Sequence, residues 1–95
     1  MDDGDLIAEI IAIFLEDVPR RIASLKEHLI SERTAEAGEQ AHSIKGAAAD
    51  VGGEIVRAVA FEMEKAGKAG DLEALKKTMP VLEKEFERLK EAMKA

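Results

Sequence analysis

Residues 34–51 read TAEAGEQAHSIKGAAADV, and this stretch decides the fold. Wound as an α-helix at about 100° per residue, it puts Ala37, Ala41, Ile44, Ala48 and Val51 on one stripe, the spacing of a buried bundle seam. His42, Lys45, Gly46 and Ala49 form a second stripe, centred roughly 110° round the helix from the first, and Gly38 falls on it too. Glu36, Glu39, Ser43 and Asp50 lie further round, where water is expected. One helix thus offers a buried seam and, beside it, an imidazole with a cation one turn on and few side chains around it. Gly46 needs a reason, because an interior helix glycine costs about 1 kcal/mol relative to alanine. No turn residues follow it, only Ala47, Ala48 and Ala49. One explanation is a tolerated glycine; the other is clearance, since a missing Cβ at i+4 lets another molecule approach the His42 ring.

The rest of the chain can be read outward from there. Upstream, Asp5 is expected to cap a short first helix carrying Leu6, Ile7, Ile10, Ile11, Phe14 and Leu15. Residues 17–19, Asp-Val-Pro, look like a restart with Pro19 in the first turn of a second helix, which runs to about Ile30 with Ile22, Leu25 and Leu29 at bundle spacing. Downstream, Gly52-Gly53 ends the third helix. A fourth spans about 54–68, with Ile55, Val59, Met63 and Ala66 inward and Val56 nearby. Asp71 caps a fifth, on which Leu72, Leu75, Met79, Leu82, Phe86, Leu89 and Met93 keep a heptad. Pro80 should kink that helix or loosen one turn without ending it. No strand pattern or repeat is visible, and short connections make successive helices antiparallel. The expected fold class is all-α: an antiparallel four-helix bundle of helices two to five, with a short N-terminal capping helix as a lid.

Composition narrows the function. Ninety-five residues suit a single domain, 1–95, able to bury its own core. With no cysteine there is neither a disulfide framework nor a thiolate metal site. A net charge of −6 argues against nucleic acid, whose binding depends on neutralising phosphates with Lys and Arg. No apolar run approaches the length of a membrane span, and the acidic start Asp2-Asp3-Gly4-Asp5 is unlike a secretory signal. A cytoplasmic monomer is the expectation.

Residues 41–52, AHSIKGAAADVG, resemble the signature of the histidine-containing phosphotransfer (HPt) domain of two-component phosphorelays, and AGDLE at 69–73 is also similar. The resemblance implies a helical bundle in which His42 is the phosphoacceptor through Nε2, Lys45 stabilises the phosphoryl group and Gly46 gives the partner clearance. It implies as partners the receiver domains of response regulators and a sensor or hybrid histidine kinase. The receiver's Asp and Mg²⁺ would carry the other half of the chemistry, so no cofactor or metal is expected on this chain. It would be a phosphocarrier, not an enzyme with its own ATP site. Asp50 departs from the Asn often found there, on the water side of the helix.

The chemistry of the residues fits this. A neutral ring nitrogen is the nucleophile, and Lys45 is expected to disfavour protonation of the ring and to favour an attached dianion. Phosphoryl transfer asks chiefly for positioning and charge neutralisation. The chain has no phosphate-binding glycine loop of either common pattern. No further polar residue is expected to assist Lys45. His28 has Ser31 and Glu32 at i+3 and i+4 and reads as an ordinary rim histidine; Glu39 and His42 are two ligands without a third, too few for a metal site. Two alternatives remain: a helical interaction module without chemistry, or a dimeric histidine-kinase phosphoacceptor domain.

Overall fold

Pro19 sits on an exposed face in the middle of an unbroken helix. In the computed structural model, which describes residues 3–94, α1 runs Asp3–Ile30, α2 Thr34–Asp50, α3 Glu54–Lys68 and α4 Leu72–Lys94, with no strand among the described residues. The expected short capping helix and second helix are therefore one element. The physical reason is phase: Phe14, Val18, Leu25 and Leu29 are all buried on one stripe across the proline. An interior proline costs about 3 kcal/mol, whereas burying a side chain such as Phe14 or Val18 yields roughly 1.5–3 kcal/mol each. Two such residues outweigh the lost hydrogen bond, and ion pairs from Arg20 to Glu16 and Arg21 to Asp17 bridge the same turn. Asp5 consequently lies inside the first turns instead of capping them. The N-terminal part of α1 forms no lid; it continues along the helix axis with Leu6, Ile7, Ile10 and Ile13 exposed. At 1.5 Å per residue its 28 residues span about 42 Å, which accounts for the 45 Å long dimension of the molecule.

Successive helices pack α1 on α2, α2 on α3, α3 on α4 and α4 back on α1, closing an antiparallel four-helix bundle. The core joins the α1 stripe to Ala37, Ala41, Ile44 and Ala48 of α2, Val56, Ala60 and Met63 of α3, and Leu75, Met79, Leu82 and Phe86 of α4. Phe14 and Phe86 meet with ring centroids 5.8 Å apart. α4 behaves as the heptad requires: it passes through Pro80 unbroken, and Asp71 Oδ1 accepts the Ala74 N–H at 3.0 Å.

α3 is rotated from expectation. Ile55 is exposed, and the inward residues are Val56, Ala60, Met63, Glu64 and Gly67, with Val59 and Ala66 half-buried. Apolar residues at 55, 56, 59, 60 and 63 allow either phase. What selects the observed one is a close crossing: Gly67 packs on the Gly38 backbone, and a Cβ built on Gly67 would stand 2.5 Å from Gly38 Cα. Gly38 therefore serves helix packing.

All three connections use one device. A left-handed residue (Glu32, Gly52 or Gly70) is followed by a backbone N–H that reaches back five residues: Arg33 to His28, Gly53 to Ala48, Asp71 to Ala66. This is the Schellman termination, and glycine is its natural residue. Glu32 has φ +56° and a Cβ that disfavours it. Glu32→Gly is expected to raise stability by about 0.5–1 kcal/mol, read as a higher urea midpoint; the gain is capped by the extra freedom of glycine in the unfolded chain.

Candidate functional site

The Gly38–Gly67 crossing brings α2 and α3 close enough for Glu64 to reach under the His42 stripe. Glu64 is the one charged residue among the buried side chains described. Its Oε2 lies 2.9 Å from His42 Nδ1 and 3.4 Å from Lys68 Nζ, and its Oε1 lies 2.6 Å from Lys45 Nζ. The Lys45 approach is off the line a hydrogen bond prefers, so charge holds it more than direction does. The Glu64 carboxyl is lowered from 4.5 to about 2, chiefly by the Lys45 ammonium. Burial pushes the other way, and His42 and Lys68 add to the lowering. Glu64 is thus a carboxylate at neutral pH.

A carboxylate only accepts. With a neutral ring, Nδ1 must therefore be the donor to Glu64, and Nε2 carries the lone pair. Such a partner fixes both tautomer and ring orientation. The His42 side chain is 65 % exposed, so the Nε2 edge faces water while the Nδ1 edge is anchored.

Lys45 is placed differently from expectation. It does not confront the imidazole as a free ammonium; the Glu64 carboxylate bridges the two. It also lies over the Phe61 ring, 5.1 Å from the centroid, with Lys65 Nζ 4.7 Å from the same ring. At Gly46 a Cβ would meet nothing within 4 Å, and Ala49 beside it is exposed. Gly46, Ala49, Lys45, Arg57 and Phe61 line one shallow depression, and a second holds His42, Gly38, Ser43, Glu39, Glu64 and Lys68. The ring accordingly faces the α2–α3 side.

Glu64 and Lys68 are the site residues that sequence reasoning missed. The available signal was an acid beside Met63, one turn before Gly67, on the side of α3 that the misplaced phase turned toward water.

With this geometry in view, the chain matches the family model of the Hpt domain over residues 9–92, and it belongs to that family. Hpt domains are phosphotransfer modules of two-component systems that work with receiver domains and histidine kinases. Searches of curated proteins and of solved structures found no match. No helix among the described residues is long and apolar enough to cross a membrane.

Proposed function

We propose that this chain is a cytoplasmic, monomeric phosphohistidine carrier that takes a phosphoryl group on His42 from a receiver's phospho-aspartate, or from a kinase, and passes it to another receiver. The observation that carries the reading is the Nδ1–Glu64 contact, which leaves Nε2 as the exposed nucleophile. In the transfer, the Nε2 lone pair forms the N–P bond as the P–O bond to the donor aspartate breaks. The bonding pair leaves with that aspartate as a carboxylate. The Nδ1 proton stays on the ring, and Glu64 stabilises the positive charge the ring acquires. Reversal at the next receiver restores the neutral ring.

Lys45 keeps Glu64 ionised and adds positive potential beside the incoming group. Gly46 and Ala49 leave room for the partner to close over the ring and exclude water. The Mg²⁺ of the reaction belongs to the receiver, and ATP is used by the kinase alone.

Incubation with a phosphorylated receiver is expected to give an acid-labile, base-stable label that His42→Gln abolishes. Label retained by His42→Gln would overturn the assignment. Gly46→Glu is expected to keep the helical circular-dichroism signal while slowing transfer at least ten-fold, because small displacements of the reacting groups are that costly. Gly46→Ala is expected to raise stability by up to about 1 kcal/mol, since its Cβ meets open space.

A further inference from the structure

An attached phosphoryl dianion needs a cation in contact. Resting on the phosphocarrier reading, we infer that this contact comes from Lys68 of α3, while Lys45 stays as the anchor of Glu64. Lys45 is 27 % exposed and held at 2.6 Å to Oε1 of a buried carboxylate; that oxygen has no hydrogen-bond partner to replace it. Withdrawing Lys45 toward the ring's outer edge would strand a buried charged oxygen. Lys68 is under no such constraint. Its side chain is 76 % exposed, and its 3.4 Å contact is to Oε2, which keeps the His42 Nδ1–H when Lys68 leaves.

The shape of the surface points the same way. The depression that His42 borders also contains Lys68, whereas Lys45 borders the separate depression beyond Gly46. Glu39 is the other acid lining the His42 depression. It is exposed and opposes an anion there, which raises the need for a mobile ammonium on the facing helix. A lysine's flexible stem and compact charge suit a group that neutralises Glu64 before transfer and turns to the phosphoryl oxygens afterwards. Lys68 gives and takes no proton in this; the N–P bond forms at Nε2 as described above.

The test uses the whole chain phosphorylated with phosphoramidate, a small P–N donor that needs no partner protein, and followed by ³¹P and lysine-resolved NMR. On phosphorylation the side-chain signals of Lys68 are expected to shift and those of Lys45 to stay. Lys68→Ala is expected to shorten the phosphohistidine lifetime roughly two- to five-fold, the size of one exposed ion pair. Lys68→Arg should restore most of it. An unchanged lifetime in Lys68→Ala, or Lys45 signals that shift while those of Lys68 do not, would overturn the inference and leave the carrier reading standing. A chain that takes no phosphoryl group on His42 would overturn both.

Discussion

Gly67→Ala is expected to destabilise the protein by about 3 kcal/mol, at the upper end of what overpacking costs. The new Cβ would stand 2.5 Å from Gly38 Cα, 2.9 Å from Gly38 N and 2.9 Å from the Thr34 carbonyl oxygen. All three are backbone atoms, so no side chain can turn aside; α2 and α3 have to separate. For a domain of this size that corresponds to a fall in Tm of more than 10 °C, measurable by thermal melting. Gly38→Ala is the milder control, because its Cβ would meet Gly67 Cα at 3.1 Å and the next atoms at 3.5 Å. The two variants should also differ in function. Separating the helices pulls Glu64 from His42, so Gly67→Ala should slow phosphoryl uptake even at temperatures where it stays folded. A Gly67→Ala protein as stable as wild type would contradict the crossing described here.

Glu64→Gln is expected to flatten the acid limb of the stability curve. The Glu64 carboxyl is lowered in the fold from 4.5 to about 2. A group lowered in this way contributes stability that is fully present above its unfolded value and is lost as pH falls through the folded one. The window is therefore pH 4.5 down to about 2, and the magnitude is roughly 3 kcal/mol at about 1.4 kcal/mol per pH unit. Denaturant melts of wild type and Glu64→Gln should differ most near neutral pH and converge toward pH 2. A constant difference across that range would remove the ion cluster from the account. Glu64→Leu tests the chemical role of the same residue. Without an acceptor for Nδ1–H the ring is free to rotate and to exchange tautomers. Transfer should slow ten-fold or more, as when other orienting partners of functional histidines are removed. The amide oxygen of the Gln variant can still accept that proton, so it should retain more activity than Leu.

The buried stripe of α2 and the heptad of α4 were legible from spacing, because each helix had one apolar phase that matched the core. The exposure of His42 and the open space at Gly46 were legible for the same reason: both fall on the side of the α2 wheel away from the apolar stripe. Pro19 misled because local propensity weighs a proline at about 3 kcal/mol, while the burial of Phe14 and Val18 that outweighs it depends on α4 and α2 being in place. On α3 two apolar phases overlapped, and the choice between them lies in a contact between two glycines, Gly38 and Gly67, far apart in the chain. That same choice hides Glu64. Turned outward it is one of many surface acids; turned inward it sets the tautomer of His42. The partners of Lys45 were illegible in consequence, since a helical wheel reports neighbours on its own helix only.

In the proposed carrier, Glu64 holds the Nδ1 edge of His42 and leaves Nε2 as the nucleophile. The most direct measurement of this is the positional isomer of the phosphohistidine, resolved by ³¹P NMR of the chain labelled from a phosphorylated receiver. A single Nε2-linked species at His42 is expected. An Nδ1-linked product, or an Nε2 species that persists in His42→Gln, would contradict it.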